Sequence, residues 1–174
     1  RENTIEIDDK YSNMKVEFRQ SNRSKEFVAD NETEREMSYI SKGLVAHKIF
    51  ESIHDLNDIP KVMNQLRQEG VLKDKSFAEE MERMVNQLIS NPQARNWFEP
   101  SWKVMNECDI ITVENGIALS KRPDRVIYNE NETIVIDYKT GQKNDDYKWQ
   151  VRKYINLLKK MGMHHVHGYL WYLK

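Results

Sequence analysis

Cysteine is nearly absent: Cys108 is the only one in 174 residues. An internal disulfide, a thiolate zinc site and an iron–sulfur cluster built by this chain alone are excluded, and a reducing cytoplasm fits. Long apolar runs are missing as well. None approaches the ~18–20 residues that a membrane span needs, so no membrane partner is expected. No signal peptide opens the chain. Nor does an initiating methionine: the first residue is Arg1, which reads as a piece cut from something longer. Excess charge is small, at −1, so the chain as a whole is not a polycation that binds nucleic acid indiscriminately.

What is present describes a globular domain with a charged surface. Hydrophobic residues make up 39% and charged ones 32%, in a chain long enough to bury a real core. Charge is unevenly placed. From Lys139 to Lys174 there are eight Lys/Arg and two Asp/Glu, a local +6 that leaves −7 for the rest. By themselves these cations read as a solvated helix face. Beside a site that cuts phosphodiesters they would track a backbone.

Along the chain, residues 1–35 are polar, with brief alternation at Ile5/Ile7 and Met14/Val16/Phe18 that reads as short strands or an extended arm. Thr33 and Glu36 have capping-box spacing, and Met37, Ile40, Leu44, Val45, Ile49, Phe50 and Ile53 continue a helical pattern to about His54. Gly43 inside that helix suggests a close approach by a neighbour. Asp58-Ile-Pro opens a second helix, and Ser76–Ser90 forms a third whose methionines sit at core spacing rather than as ligands. Asn91-Pro92 breaks the chain before a short turn to Trp97 and Phe98.

The period then becomes that of strands. Trp102 to Val113 reads as one strand ending at the Asn115-Gly116 hairpin turn, and Ile117 to Tyr128 as the returning strand, irregular at Pro123. Thr133–Tyr138 is an apolar, central strand. A helix capped at Asp145 or Asp146 runs to about Lys160, and His165–Leu173 is a last strand.

An acid, any residue, then lysine occurs at Asp8/Lys10, Asp137/Lys139 and Asp146/Lys148, and roughly two or three are expected by chance in so charged a chain. Only Asp137/Lys139 follows an apolar strand, and only it has a hairpin partner carrying another aspartate, Asp124. Alternation puts Asp137 and Lys139 on one face and Tyr138 on the other. Taken singly, the pieces have plainer readings: Asp124 as a turn residue, Asp137/Lys139 as a strand-end ion pair, His47 as a satisfied histidine, Gln150 and Tyr154 as surface positions.

Together, Gly43-x3-His47, Pro123-Asp124-Arg125, Asp137-Tyr138-Lys139-Thr140-Gly141 and Gln150-x3-Tyr154 resemble the RecB/AddA-type nuclease domain. This branch of the PD-(D/E)XK superfamily is often found at the C-terminus of UvrD-like helicases. The resemblance covers roughly Ser41 to Leu173. It implies an α/β (α+β), restriction-endonuclease-like fold with an αβββαβ core and additional N-terminal helices, residues 36–174 forming the domain and 1–35 an arm or linker. It also implies His47, Asp124 and Asp137 as metal ligands, joined by the main-chain carbonyl of Tyr138, with Lys139 as the catalytic lysine. Gln150 and Tyr154 would stand behind the site or touch DNA, and Glu107, Arg125 and Thr140 would support the site or the strand. Many relatives carry glycine three residues before the first aspartate; here that position is Lys121.

The chemistry agrees with that expectation. Hard oxygen ligands suit Mg²⁺ or Mn²⁺, and a histidine tilts the set towards Mn²⁺. Such an ion offsets phosphate charge and activates water, while a lysine orients the attacking water. Implied partners are single-stranded DNA, helicase domains of the same parent chain and an AddB-like subunit. Two other readings stand beside this one: a catalytically silent nuclease fold kept as a DNA-binding or scaffolding module, and a stand-alone structure-specific endonuclease.

Overall fold

The computed structural model describes residues 3–7, 32–106 and 109–174. Met14, Val16 and Phe18, assigned above to strand-like alternation, and Glu107 lie outside them, as do the side chains of Met37 and Ile40. Four helices precede most of the strands: α1 (Glu32–Ser52), α2 (Ile59–Gln68), α3 (Lys75–Ile89) and the short α4 (Pro92–Asn96). Side-chain caps open α3 and α4, where the sequence turns polar. Asp74 Oδ1 accepts from the Phe77 amide at 2.8 Å, and Asn91 Oδ1 from the Gln93 amide at 2.9 Å. Proline follows at once in α2 and α4, where its missing N–H costs nothing.

A five-stranded mixed sheet carries the domain, in the order β1 (Thr4–Ile7), β7 (Val166–Tyr172), β6 (Thr133–Lys139), β5 (Arg125–Tyr128), β2 (Lys103–Asn106). Only β6 and β7 are parallel, joined through helix α5 (Asp146–Lys160). Ile5 and Ile7 are thus part of an edge strand on β7. The central β6 is buried on both faces. Ile134, Ile136 and Tyr138 enter the core shared with α1 to α4, and Val135 enters the second core, under α5. This is the mixed α/β, restriction-endonuclease-like architecture expected from the sequence.

Two expectations need correction. Leu44 is 57% exposed, because Gly43, Ala46, Phe50 and Ile53 form the stripe that faces the sheet and Leu44 lies one step round the helix. The long hairpin is two ladders rather than one. Strand β2 pairs β5 in the main sheet, whereas β3 (Ile110–Glu114) and β4 (Ile117–Lys121) form a separate ribbon around the Asn115-Gly116 turn. Asn106 faces Arg125 and Ile110 faces Lys121, so the register is the same in both ladders, and Arg122, Pro123 and Asp124 lie between them. Proline at 123 cannot donate to a ladder, and the gap it sits in frees Asp124 from pairing.

Arg125, expected above to support the site or the strand, is 0% exposed. Its guanidinium donates to the carbonyls of Ile53 (3.0 Å), His54 (2.6 Å) and Trp97 (3.2 Å), and its Cζ lies 4.2 Å from the Phe98 ring centroid. These carbonyls come from the ends of α1 and α4, where helices leave acceptors unmatched. Arg125 therefore clamps the helical layer to the sheet and is out of reach of a ligand in solvent. Replacing it by methionine, which keeps the stem but strands three buried acceptors, should cost roughly 3 kcal/mol or more in urea unfolding. An effect below ~1 kcal/mol would refute the clamp.

Candidate active site

The open end of β5 and β6 gathers the polar residues picked out above. Asp124 precedes β5 and turns one oxygen to each neighbour. Its Oδ2 accepts from the Tyr138 amide at 2.7 Å, and its Oδ1 lies 3.3 Å from His47 Nε2. The other imidazole nitrogen, Nδ1, lies 3.1 Å from Glu51 Oε2, one turn further along α1. The Tyr138 ring meets the imidazole edge-on at 5.3 Å, so one residue of β6 orients both the histidine and its carboxylate.

Gly43 explains how α1 reaches this end of the sheet. A Cβ there would stand 2.8 Å from Thr140 Cγ2 and 3.4 Å from the Leu173 carbonyl oxygen. Thr140 thus packs against the helix that carries His47.

On the α5 side, Asp137 is 2% exposed. Lys139 Nζ sits 2.6 Å from Asp137 Oδ2, in an ionic approach that leaves this buried oxygen without a directed hydrogen bond. The same ammonium donates to Gln150 Oε1 at 3.0 Å and lies 4.4 Å from the Tyr147 ring centroid. Gln150 Nε2 donates to the Tyr154 hydroxyl at 2.9 Å, which donates to the Arg122 carbonyl at 3.1 Å. Gln150 and Tyr154 therefore form a relay from Lys139 back to the chain entering Asp124. Its base is firm because Tyr154 is buried with Val151 and Ile155.

Electrostatics separate the two aspartates. Burial pushes the Asp137 carboxyl up to about 7, and the neighbouring Asp124 charge adds to this against the pull of Lys139. Burial also acts to raise Asp124, but the His47 hydrogen bond and charge, with the Tyr138 amide, outweigh it and hold that carboxyl low. For His47, burial lowers the pKa, yet Asp124, Glu51 and Asp137 together raise it above the ordinary imidazole value.

The donor set suits a hard divalent ion: carboxylates, and an imidazole whose Nδ1 is already tied to a carboxylate, as in histidines that bind metals through the other nitrogen. The undirected Asp137 oxygen agrees with this. Among the described residues, however, no three His, Cys, Asp or Glu side chains are spaced as a metal-binding group. Asp124 is drawn to His47 and Asp137 to Lys139. Glu51 and Tyr147 were not selected from the sequence, although each has a local signal: Glu51 lies four residues after His47, and Tyr147 three before Gln150, on the same helical face.

The model of the PD-(D/E)XK nuclease superfamily matches residues 18–174, and the chain belongs to that superfamily. Comparison with curated proteins and with solved structures returned no match. Superfamily members typically use divalent metals, and among the described residues no helix is long and apolar enough to cross a membrane.

Two outcomes follow from this geometry. Alanine at 43 would gain ~1 kcal/mol of helix propensity but must displace Thr140, so Gly43→Ala should destabilise the protein by about 1–3 kcal/mol. Thr140→Ser, which removes the clashing methyl, should recover part of that loss in urea unfolding. The second outcome concerns pH. Asp137 and His47 both have raised values in the fold, so the stability they contribute is present at low pH and is lost as pH rises through those values. With chelator present, stability should therefore fall by roughly 1 kcal/mol per pH unit between the ordinary carboxylate value and about 7, then level off, and Asp137→Asn should flatten that slope. An unchanged slope in the variant would contradict the burial argument.

Proposed function

We propose that this domain is a Mg²⁺- or Mn²⁺-dependent deoxyribonuclease that hydrolyses single-stranded DNA from ends, as the nuclease part of a helicase–nuclease in DNA break repair. The observation that carries the reading is the Lys139 ammonium held between Asp137 and Gln150, on the strand end whose neighbour presents Asp124. The helicase association is supported by the likeness of the Asp137-to-Gly141 stretch and the Gln150-x3-Tyr154 helix to the RecB/AddA branch. On this reading an AddB-like subunit would be its partner and the cytoplasm its place of action.

His47, Asp124, Asp137 and the Tyr138 carbonyl would hold the ion, which supplies charge neutralisation at the scissile phosphate and Lewis-acid activation of water. The chain's own residues do the rest. Glu51 fixes the imidazole through Nδ1, leaving Nε2 to face Asp124 and the site. The Tyr138 amide holds one Asp124 oxygen and so aims the other. Lys139 carries its proton beside the reacting phosphate, where a fixed cation orients the attacking water and offsets charge that grows in the transition state. Gln150 and the Tyr147 face keep the ammonium from swinging into solvent.

Lys139→Ala should lower Mn²⁺-dependent cleavage of linear single-stranded DNA by about 100- to 1000-fold, and Asp137→Ala should lower it to background, with far-UV circular dichroism unchanged. Closed circular single strands should resist. Full activity in both variants would end the proposal. DNA binding by the parent protein without products under either ion would assign the domain a binding or scaffolding role instead.

A further inference from the structure

Four lysines, Lys139 of the catalytic cluster among them, gather around Tyr172 near the end of β7. Lys143 Nζ lies 5.9 Å and Lys174 Nζ 5.6 Å from the centroid of that ring. Lys139 and Lys148 are within electrostatic reach of its hydroxyl, which the Asn144 backbone also meets. Tyr172 is 1% exposed, so the ring is a fixed floor rather than a stacking surface. Two of the four cations have acids of their own: Lys139 pairs with Asp137, and Lys148 with Asp145 at 2.7 Å. Among the described residues Lys143 and Lys174 have none, and the contacts of their ammonium groups are the Tyr172 face and, for Lys174, the Gly141 carbonyl at 3.3 Å.

Two ammonium groups held over one ring without a carboxylate repel each other, and the repulsion is relieved when an anion sits between them. Their position names the anion. The loop from Thr140 to Asp145 continues directly from Lys139, so a strand whose scissile phosphate lies at Lys139 brings a neighbouring phosphate over this loop. We propose that Lys143 and Lys174 form a phosphate-binding subsite for the single-stranded DNA backbone next to the scissile position. The subsite makes no base contact and therefore reads no sequence. This inference rests on the proposed nuclease function for its choice of ligand.

The test is the salt dependence of binding by the whole chain to a fluorescein-labelled oligothymidine in chelated buffer, where no cleavage occurs. Lys143→Gln/Lys174→Gln should weaken binding roughly tenfold at low salt and flatten the slope of log Kd against log salt by about 1.4, the value for two single-strand phosphate contacts. Lys61→Gln/Lys73→Gln, on the helical layer, should change neither, and thermal melts should show all variants folded. An unchanged Kd in the first pair, an equal loss in the second, or no binding by the parent chain would overturn the subsite. Cleavage by the parent chain with an unaltered Kd in the double variant would sink this inference and leave the nuclease reading standing. Lysine-dependent binding without cleavage under Mg²⁺ or Mn²⁺ would do the reverse.

Discussion

An acid buried at 2% exposure on the central strand is the constraint around which this domain is built. Taking the Asp137 carboxylate out of water costs several kcal/mol unless charge or hydrogen bonds compensate, and a second carboxylate beside it makes matters worse. The fold meets that cost with one ammonium and one imidazole, brought in from opposite sides of the sheet. Lys139 lies on the α5 side, next to Asp137 itself. His47 lies on the α1 side and answers Asp124. A hydrophobic pair at the two aspartate positions would pack at less expense, so the arrangement makes sense as a concentration of negative charge maintained for a cation.

The remaining architecture keeps those groups in register. Asp124 can turn to Tyr138 and His47 because the hairpin ladder lapses where proline stands. Immediately after that lapse, Arg125 points into the core and gathers the ends of α1 and α4 by their free carbonyls. Two consecutive residues thus have opposite duties, one facing the site and one locking the helical layer beneath it. The Gly43–Thr140 contact completes the frame, since α1 must approach the end of β6 closely for its imidazole to reach Asp124.

Local patterns carried much of this. The helix faces of α2 and α3, the apolar β6 with its Asp-x-Lys, and the Asn115-Gly116 turn are all written within stretches of a dozen residues, and periodicity or turn chemistry exposes them. Pairings between distant segments left weaker traces. Alternation at Ile5 and Ile7 marked a strand, but nothing nearby said that its partner is Gly168 to Trp171. The hairpin's irregularity at Pro123 was legible, but its division between two sheets was not, because the pairing register is the same in both ladders. Arg125 entered only as part of the Pro123-Asp124-Arg125 motif, and it takes the tertiary fold to show the three carbonyls it serves. Leu44 shows the limit of apolar spacing, since a leucine one step off the stripe still fits a three-to-four repeat.

The division between the two sheet faces bears on how such a site can work. On the α1 side everything is short and held: the imidazole is fixed by Glu51, Asp124 and the Tyr138 ring, so this half behaves as a rigid ligand frame. On the α5 side the ammonium is reached through a flexible four-carbon stem and restrained by Gln150, whose own anchor is the buried Tyr154. A lysine so held presents a compact point charge beside Asp137, where a guanidinium would present a broad planar fork. The two halves of the site are thus set independently, the acids and imidazole by α1 and β5, the ammonium by α5.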